Sequence, residues 1–182
     1  MKRYIFLGAM AASFLGGLVT GKSAFGAEAA IAGSLHDSVS EQKCLADNIY
    51  FEARNQIQRG MIAVALVTRN RVLDSRFPHS YCEVVKQGPE RPSWKQNGTM
   101  VPLRHRCQFS WYCDGKSDDI NYHDTAVYEL ARAIAFKVYH GEFPDFTDGA
   151  THYHADYVRP EWASTKTKTM KIDQHIFYRW EK

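Results

Sequence analysis

One carboxylate stands out by its neighbours. In Asn48-Ile49-Tyr50-Phe51-Glu52-Ala53-Arg54, Glu52 follows two aromatic residues and an isoleucine. A carboxyl group drawn out of water keeps its proton towards neutral pH, as a general acid must. Leu45, Asn48, Ile49 and Glu52 fall at i, i+3, i+4 and i+7. A helix therefore sets Glu52 on the same face as two apolar residues. A place near the negative end of that helix acts in the same direction. The competing reading is a solvated ion pair of Glu52 with Arg54 or Arg69, and spacing alone does not decide between them.

Other residues suggest rival chemistries. His152 and His154 are two apart, so on a strand they point the same way. With His175 from a neighbouring strand they would make a three-imidazole metal site with one open position. No HExxH spacing accompanies them, and polar strand residues lining a groove are the commoner use. Ser110 invites a hydrolase triad, but no G-x-S-x-G turn surrounds it. The stretch Cys107–Gly115 (CQFSWYCDG) sets Gln108 and Ser110 among aromatic residues.

These residues need elements to position them. Apolar periodicity predicts helices over about 41–55, 59–73, 80–86 and 124–140, with Ser40 and Asp124 or Thr125 as caps and Gly141 as a stop. Asn70 falls on the inner face of the second helix and reads as a hydrogen-bonding tie, whereas Arg69, Arg71 and Asp74 read as its exposed end. Ala150–Ala155 and Asp173–Trp180 alternate with period two and read as strands. Helices followed by a small antiparallel sheet near the C-terminus give an α+β domain. Four cysteines, Cys44, Cys82, Cys107 and Cys113, allow two disulfides in three pairings. Cys107 and Cys113 can close a short loop, which leaves Cys44 with Cys82. No C-x2-C spacing supports a zinc site.

The N-terminus has its own pattern. Lys2 and Arg3 precede an uncharged apolar run, and small residues follow at Ala24–Gly26 and Ala27–Ala29. This is the layout of a secretory signal peptide over residues 1–26, with an uncleaved membrane anchor as the alternative. Residues 27–40 read as a linker and 41–182 as the catalytic domain. Losing residues 1–26 takes Lys2, Arg3 and Lys22 and no acid, so Lys+Arg falls from 23 to 20, level with Asp+Glu at 20. A chain so balanced gives nucleic acid no electrostatic footprint.

In order, CLADNIYFEAR, RGMIAVALVTRNRV, RFPHSYCEVV, CQFSWYCDG, GATHYHADYVRPEWA and HIFYR resemble the spore-cortex-lytic and cell wall hydrolase family over residues 44–180. The resemblance implies a lysozyme- and lytic-transglycosylase-like fold, an exported monomeric enzyme of the periplasm or cell wall, a peptidoglycan substrate and no cofactor. It implies cleavage between N-acetylmuramic acid and N-acetylglucosamine, with Glu52 as the catalytic residue. Gln108, Ser110, Trp111, Thr151, His152, Tyr153, His175 and Tyr178 would bind substrate. In the transglycosylase version a single glutamate suffices, whereas ordinary hydrolysis usually employs two carboxylates, and no second acid here has an equally apolar setting. The alternatives are a metal-dependent wall amidase or endopeptidase using His152, His154 and His175, and a non-catalytic glycan-binding module. Two departures stand out. Asn55-Gln56 replaces the Gly-Glu pair of many family members, and the proline-rich, basic segment Gly88–Arg106 has no family counterpart.

Overall fold

The computed structural model describes residues 22–95 and 97–181. Most of the expected signal peptide, residues 1–21, lies outside the described residues. The chain divides into units Met1–Leu35 and His36–Lys182, and the second carries the elements that build the site.

Helix α1 spans Lys22–Ala53. It therefore runs through the stretch read as a linker, and Ser40 lies inside it instead of capping it. The run AEAAIA is rich in alanine, the residue with the best helix propensity, and this outweighs its small, polar look. Helix α2 (Gln58–Leu73), α3 (Tyr81–Lys86) and α4 (Thr125–Tyr139) follow. Ser80, expected within this short helix, caps α3 instead, its Oγ accepting from the Glu83 amide at 3.2 Å. Gly141, at φ 73°, ends α4 in the left-handed conformation that glycine adopts without strain.

The first core forms where Leu45, Ile49 and Tyr50 of α1 meet Met61, Val64 and Leu66 of α2 and Ala131, Ile134 and Val138 of α4. Each large aliphatic so buried contributes roughly 1.5–3 kcal/mol. A second cluster, Ala63, Val67, Ala150, Ile172 and Phe177, fastens the opposite side of α2 to a sheet.

That sheet contains β3 (His152–Ala155), β4 (Thr167–Ile172) and β5 (His175–Arg179), all antiparallel in the order β3-β5-β4. The expected strands are β3 and β5. Strand β4 is an addition whose outward residues are mostly exposed, so hydrophobic patterning gave little sign of it. A tight turn joins β4 to β5, with Asp173 at φ 49°. Its side chain accepts from the Ile57 amide at 3.2 Å, and the Gln174 amide donates to Gln56 Oε1 at 3.2 Å. Gln56, at one of the two departures from the family pattern, thus ties the α1–α2 loop to the sheet.

A separate two-stranded hairpin pairs β1 (Glu90–Pro92) with β2 (Met100–Pro102). The disulfides join Cys44 to Cys82 and Cys107 to Cys113, with Cα–Cα distances of 5.1 and 6.1 Å. Among the described residues no helix is long and apolar enough to cross a membrane.

Candidate active site

Glu52 stands in the last turn of α1, one residue before the helix ends. It is neither a surface residue nor an ion pair with its sequence neighbours. Arg54 lies over the Tyr50 ring at 5.0 Å, and Arg69 donates to the Phe143 carbonyl at 2.9 Å. Glu52 as a residue is part-exposed, while its carboxyl group is enclosed by protein. One side chain reaches it directly: the Tyr153 hydroxyl donates to Glu52 Oε2 at 2.9 Å.

The pairing of β3 with β5 aims Tyr153 there. Tyr153 lies opposite Phe177, and its ring packs on Phe177 and His175 at centroid distances of 5.7 and 5.0 Å. On another side, Phe51 stacks on Trp111 at 4.6 Å and 20°. The indole Nε1 of Trp111 donates to Asn48 Oδ1 at 3.0 Å, and Asn48 Nδ2 donates to Thr68 Oγ1 at 3.2 Å. Asn48 is fully buried one helical turn before Glu52, so it fixes the aromatic wall to the helix that carries the carboxylate. Trp111 and Tyr153 both pack against the cluster of Phe77, Val84 and Phe109.

Beneath this lies Arg71, a residue whose role the sequence reading missed by placing it at the exposed end of α2. It is 4% exposed. Its Nε donates to the Thr151 carbonyl at 2.7 Å, and its guanidinium carbon sits 5.4 and 5.0 Å from the ring centres of Phe77 and Phe109. Nη1 is buried without a hydrogen-bond partner. The signal that could have found it is the spacing Ala63, Val67, Arg71, which continues the buried stripe of α2 by one more turn.

The electrostatics follow from burial. Desolvation raises the Glu52 pKa, opposed by the Tyr153 hydrogen bond and then the Arg71 charge. Burial likewise lowers the Arg71 pKa and, with the nearby Glu52, pushes the Tyr153 phenol well above its ordinary value. The outcome is a carboxyl group biased towards holding its proton, with a phenol and a guanidinium ready to receive its negative form. Among the described residues, no other carboxylate is one of the groups that perturb it.

The remaining expected residues divide. His175 is on the Tyr153 side of the sheet, 7% exposed, with Nδ1 unpartnered and its pKa lowered by burial. Thr151 is buried, its Oγ1 meeting His152 Nδ1 at 2.9 Å. His152 and Tyr178 are paired residues on the opposite sheet face from Tyr153. There His152 packs against Trp162 and Trp180, and burial lowers its pKa to about 3. Tyr178 stacks on His154 at 5.2 Å, its hydroxyl 3.0 Å from His154 Nε2. Gln108 and Ser110 are exposed, and neither bonds to Glu52. Asn70 is a tie, as read, donating to the Ala150 carbonyl at 3.0 Å. The three histidines do not converge: among the described residues no three His, Cys, Asp or Glu side chains form a group able to hold a metal ion.

Two surface depressions, of about 630 Å³ between α1 and α4 and about 560 Å³ on the outer sheet face by His154 and Tyr178, do not include Glu52. The aromatic and hydrogen-bonded shell marks the candidate site.

Comparison with known proteins agrees with this architecture. The catalytic domain of the Bacillus cereus SleB protein superposes with a TM-score of 0.53 at 24% identity, covering 76% of this chain and 89% of that one. The catalytic domain of the germination-specific lytic transglycosylase SleB from Bacillus anthracis gives 0.54 at 24% identity, covering 76% and 93%. At such identity the likeness is one of fold, and it bears out the expected α+β architecture. No curated protein matches the chain. The sequence profile described as Cell Wall Hydrolase matches residues 55–178, beginning just past Glu52. Over the greater part of its length, then, the chain is a member of the cell wall hydrolase family.

Proposed function

We propose that the protein is an exported lytic transglycosylase that cuts peptidoglycan between N-acetylmuramic acid and N-acetylglucosamine, with Glu52 as its acid and then its base. The observation that carries this is the enclosed Glu52 carboxyl, bonded to Tyr153 and, among the described residues, perturbed by no second carboxylate. In the first step Glu52 gives its proton to the glycosidic oxygen as the bond from muramic C1 to that oxygen breaks. The carboxylate left behind is held by the Tyr153 hydroxyl and the charge of Arg71. In the second step it takes the proton of the muramic 6-hydroxyl while O6 bonds to C1. Glu52 ends protonated, no water is consumed, and the muramic residue ends as a 1,6-anhydro sugar. A hydrolase of the usual pattern would set a second carboxylate across the bond.

Trp111 and Phe51 supply an aromatic wall for sugar faces, and Gln108, Ser110 and His175 are the further substrate contacts in this reading. Two disulfides suit an oxidising location outside the cytoplasm, which agrees with the signal-peptide reading of residues 1–26. Digestion of purified peptidoglycan followed by mass spectrometry tests the proposal. Anhydro-muramic ends are expected, and products bearing only reducing muramic ends would refute the transglycosylase reading. A folded Glu52→Gln chain with full activity would remove Glu52 from the mechanism.

A further inference from the structure

The hairpin of β1 and β2 is not used by the chemistry above. Among the residues of segment 88–106 are four cations, Arg91, Lys95, Arg104 and Arg106, against one anion, Glu90. The expected mature chain is balanced overall, so this is a local concentration of positive charge. Arg104 is engaged with the Asp114 carbonyl at 2.9 Å. Arg91, Lys95 and Arg106 are exposed, and among the described residues none of them forms an ion pair. Trp94, in the same segment, is 79% exposed, with Lys95 Nζ 5.9 Å from its ring centre.

An isolated two-stranded hairpin is marginal in water, yet this one is held firmly at its base. The Leu103 amide donates to the Pro89 carbonyl at 2.8 Å, and the Gln108 amide to the Gln87 carbonyl at 2.9 Å. A Cβ at Gly88 would come within 3.0 Å of the Cys107 Cα, so the strand leaves the disulfide loop in close contact with it. That loop also carries Trp111, which walls the site. The arm and the site thus share one support. Pro92 and Pro102 at the ends of the paired strands lack amide donors, which disfavours strand addition at either edge. Recognition falls to the side chains.

We infer that this hairpin and the segment at its base form a second peptidoglycan-binding surface, with Arg91, Lys95 and Arg106 pairing with carboxylates of the peptide stems and Trp94 stacking on a sugar face. The inference rests on the peptidoglycan reading above. It adds an arm that holds the insoluble polymer while Glu52 acts on a strand. Unpaired cations on the same short segment as an exposed indole match a polymer that alternates apolar sugar faces with anionic stems.

The test uses the full-length, oxidised chain. Binding to insoluble sacculi stripped of phosphate-bearing polymers is measured with Glu52→Gln in every chain, to prevent digestion. Replacing Arg91, Lys95 and Arg106 together by Gln is expected to weaken binding about tenfold, as three exposed ion pairs would, and to abolish most of its salt dependence. Trp94→Ala is expected to weaken it about fivefold. With Glu52 intact, the same hairpin variants should keep wild-type kcat/KM on short soluble glycan fragments. Unchanged sacculus binding would overturn the inference. So would an equal loss on soluble fragments, or binding that appears only before phosphate polymers are stripped. Should the wild-type chain bind sacculi through the hairpin yet release no cleaved glycan, the proposed reaction fails while the binding arm stands.

Discussion

Tyr153→Phe removes one oxygen from the centre of the site and little else. The ring keeps its packing on Phe177 and His175, so the variant is expected to fold. What is lost is the hydroxyl that donates to Glu52 Oε2 at 2.9 Å. A hydrogen bond to a charged group is worth about 1.5–3 kcal/mol net. In the proposed reaction that support acts chiefly when Glu52 is a carboxylate, after protonation of the leaving oxygen. If the bond is fully felt in the transition state, kcat should fall about tenfold to about a hundredfold, at about 1.4 kcal/mol per factor of ten. The sign of the pH effect is separate. The Tyr153 bond lowers the Glu52 pKa against the larger effect of burial, so removing it lets the pKa rise. The alkaline limb of kcat/KM, where the acid form of Glu52 is lost, should move to higher pH. The assay is kcat/KM against pH on a soluble glycan strand, with circular dichroism to confirm the fold. An unchanged kcat, or a limb that moves to lower pH, would refute the assignment of Glu52 as the acid held by Tyr153.

Arg71→Met leaves Thr151 without its donor and Glu52 without its cation. It should cost about 1–3 kcal/mol in urea unfolding, the penalty of a buried carbonyl left without its donor, whereas Arg71→Lys, which keeps the charge, should lose less stability and preserve the pH limb. Glu52→Gln should be more stable than wild type at neutral pH, because the folded pKa is raised above the ordinary 4.5 and stability falls as pH climbs from that value through the folded one. Thermal melts should show the advantage vanish below about pH 4.5, and a constant difference at all pH would contradict the burial argument. Replacing Cys44 and Cys82 by Ala reopens a link spanning 38 residues, and loop-closure entropy predicts a loss of about 4 kcal/mol by denaturant titration.

Much of the scaffold could be read from spacing. Leu45, Ile49 and Glu52 share a helix face because a helix repeats every 3.6 residues, and that relation needs no partner to be true. The strands around His152–Ala155 and His175–Arg179 and the stop at Gly141 are likewise local matters of side-chain alternation and φ. The cysteine count limited the pairings to three. The early start of α1 and the added strand β4 were less legible, since small residues and exposed strands carry weak periodic signals.

The site itself required the folded chain. Whether Glu52 is solvated or enclosed depends on Tyr153, 101 residues away, and on Arg71, which looks like an ordinary surface cation until α2 is packed against the sheet. The register that sends Tyr153 towards Glu52 sends His152 and Tyr178 to the other face, because neighbouring residues on a strand point to opposite sides. Residue types and periods thus singled out Glu52 and the elements around it. Its proton affinity was decided by burial and by contacts between distant segments, since desolvation and charge act through space and not along the chain.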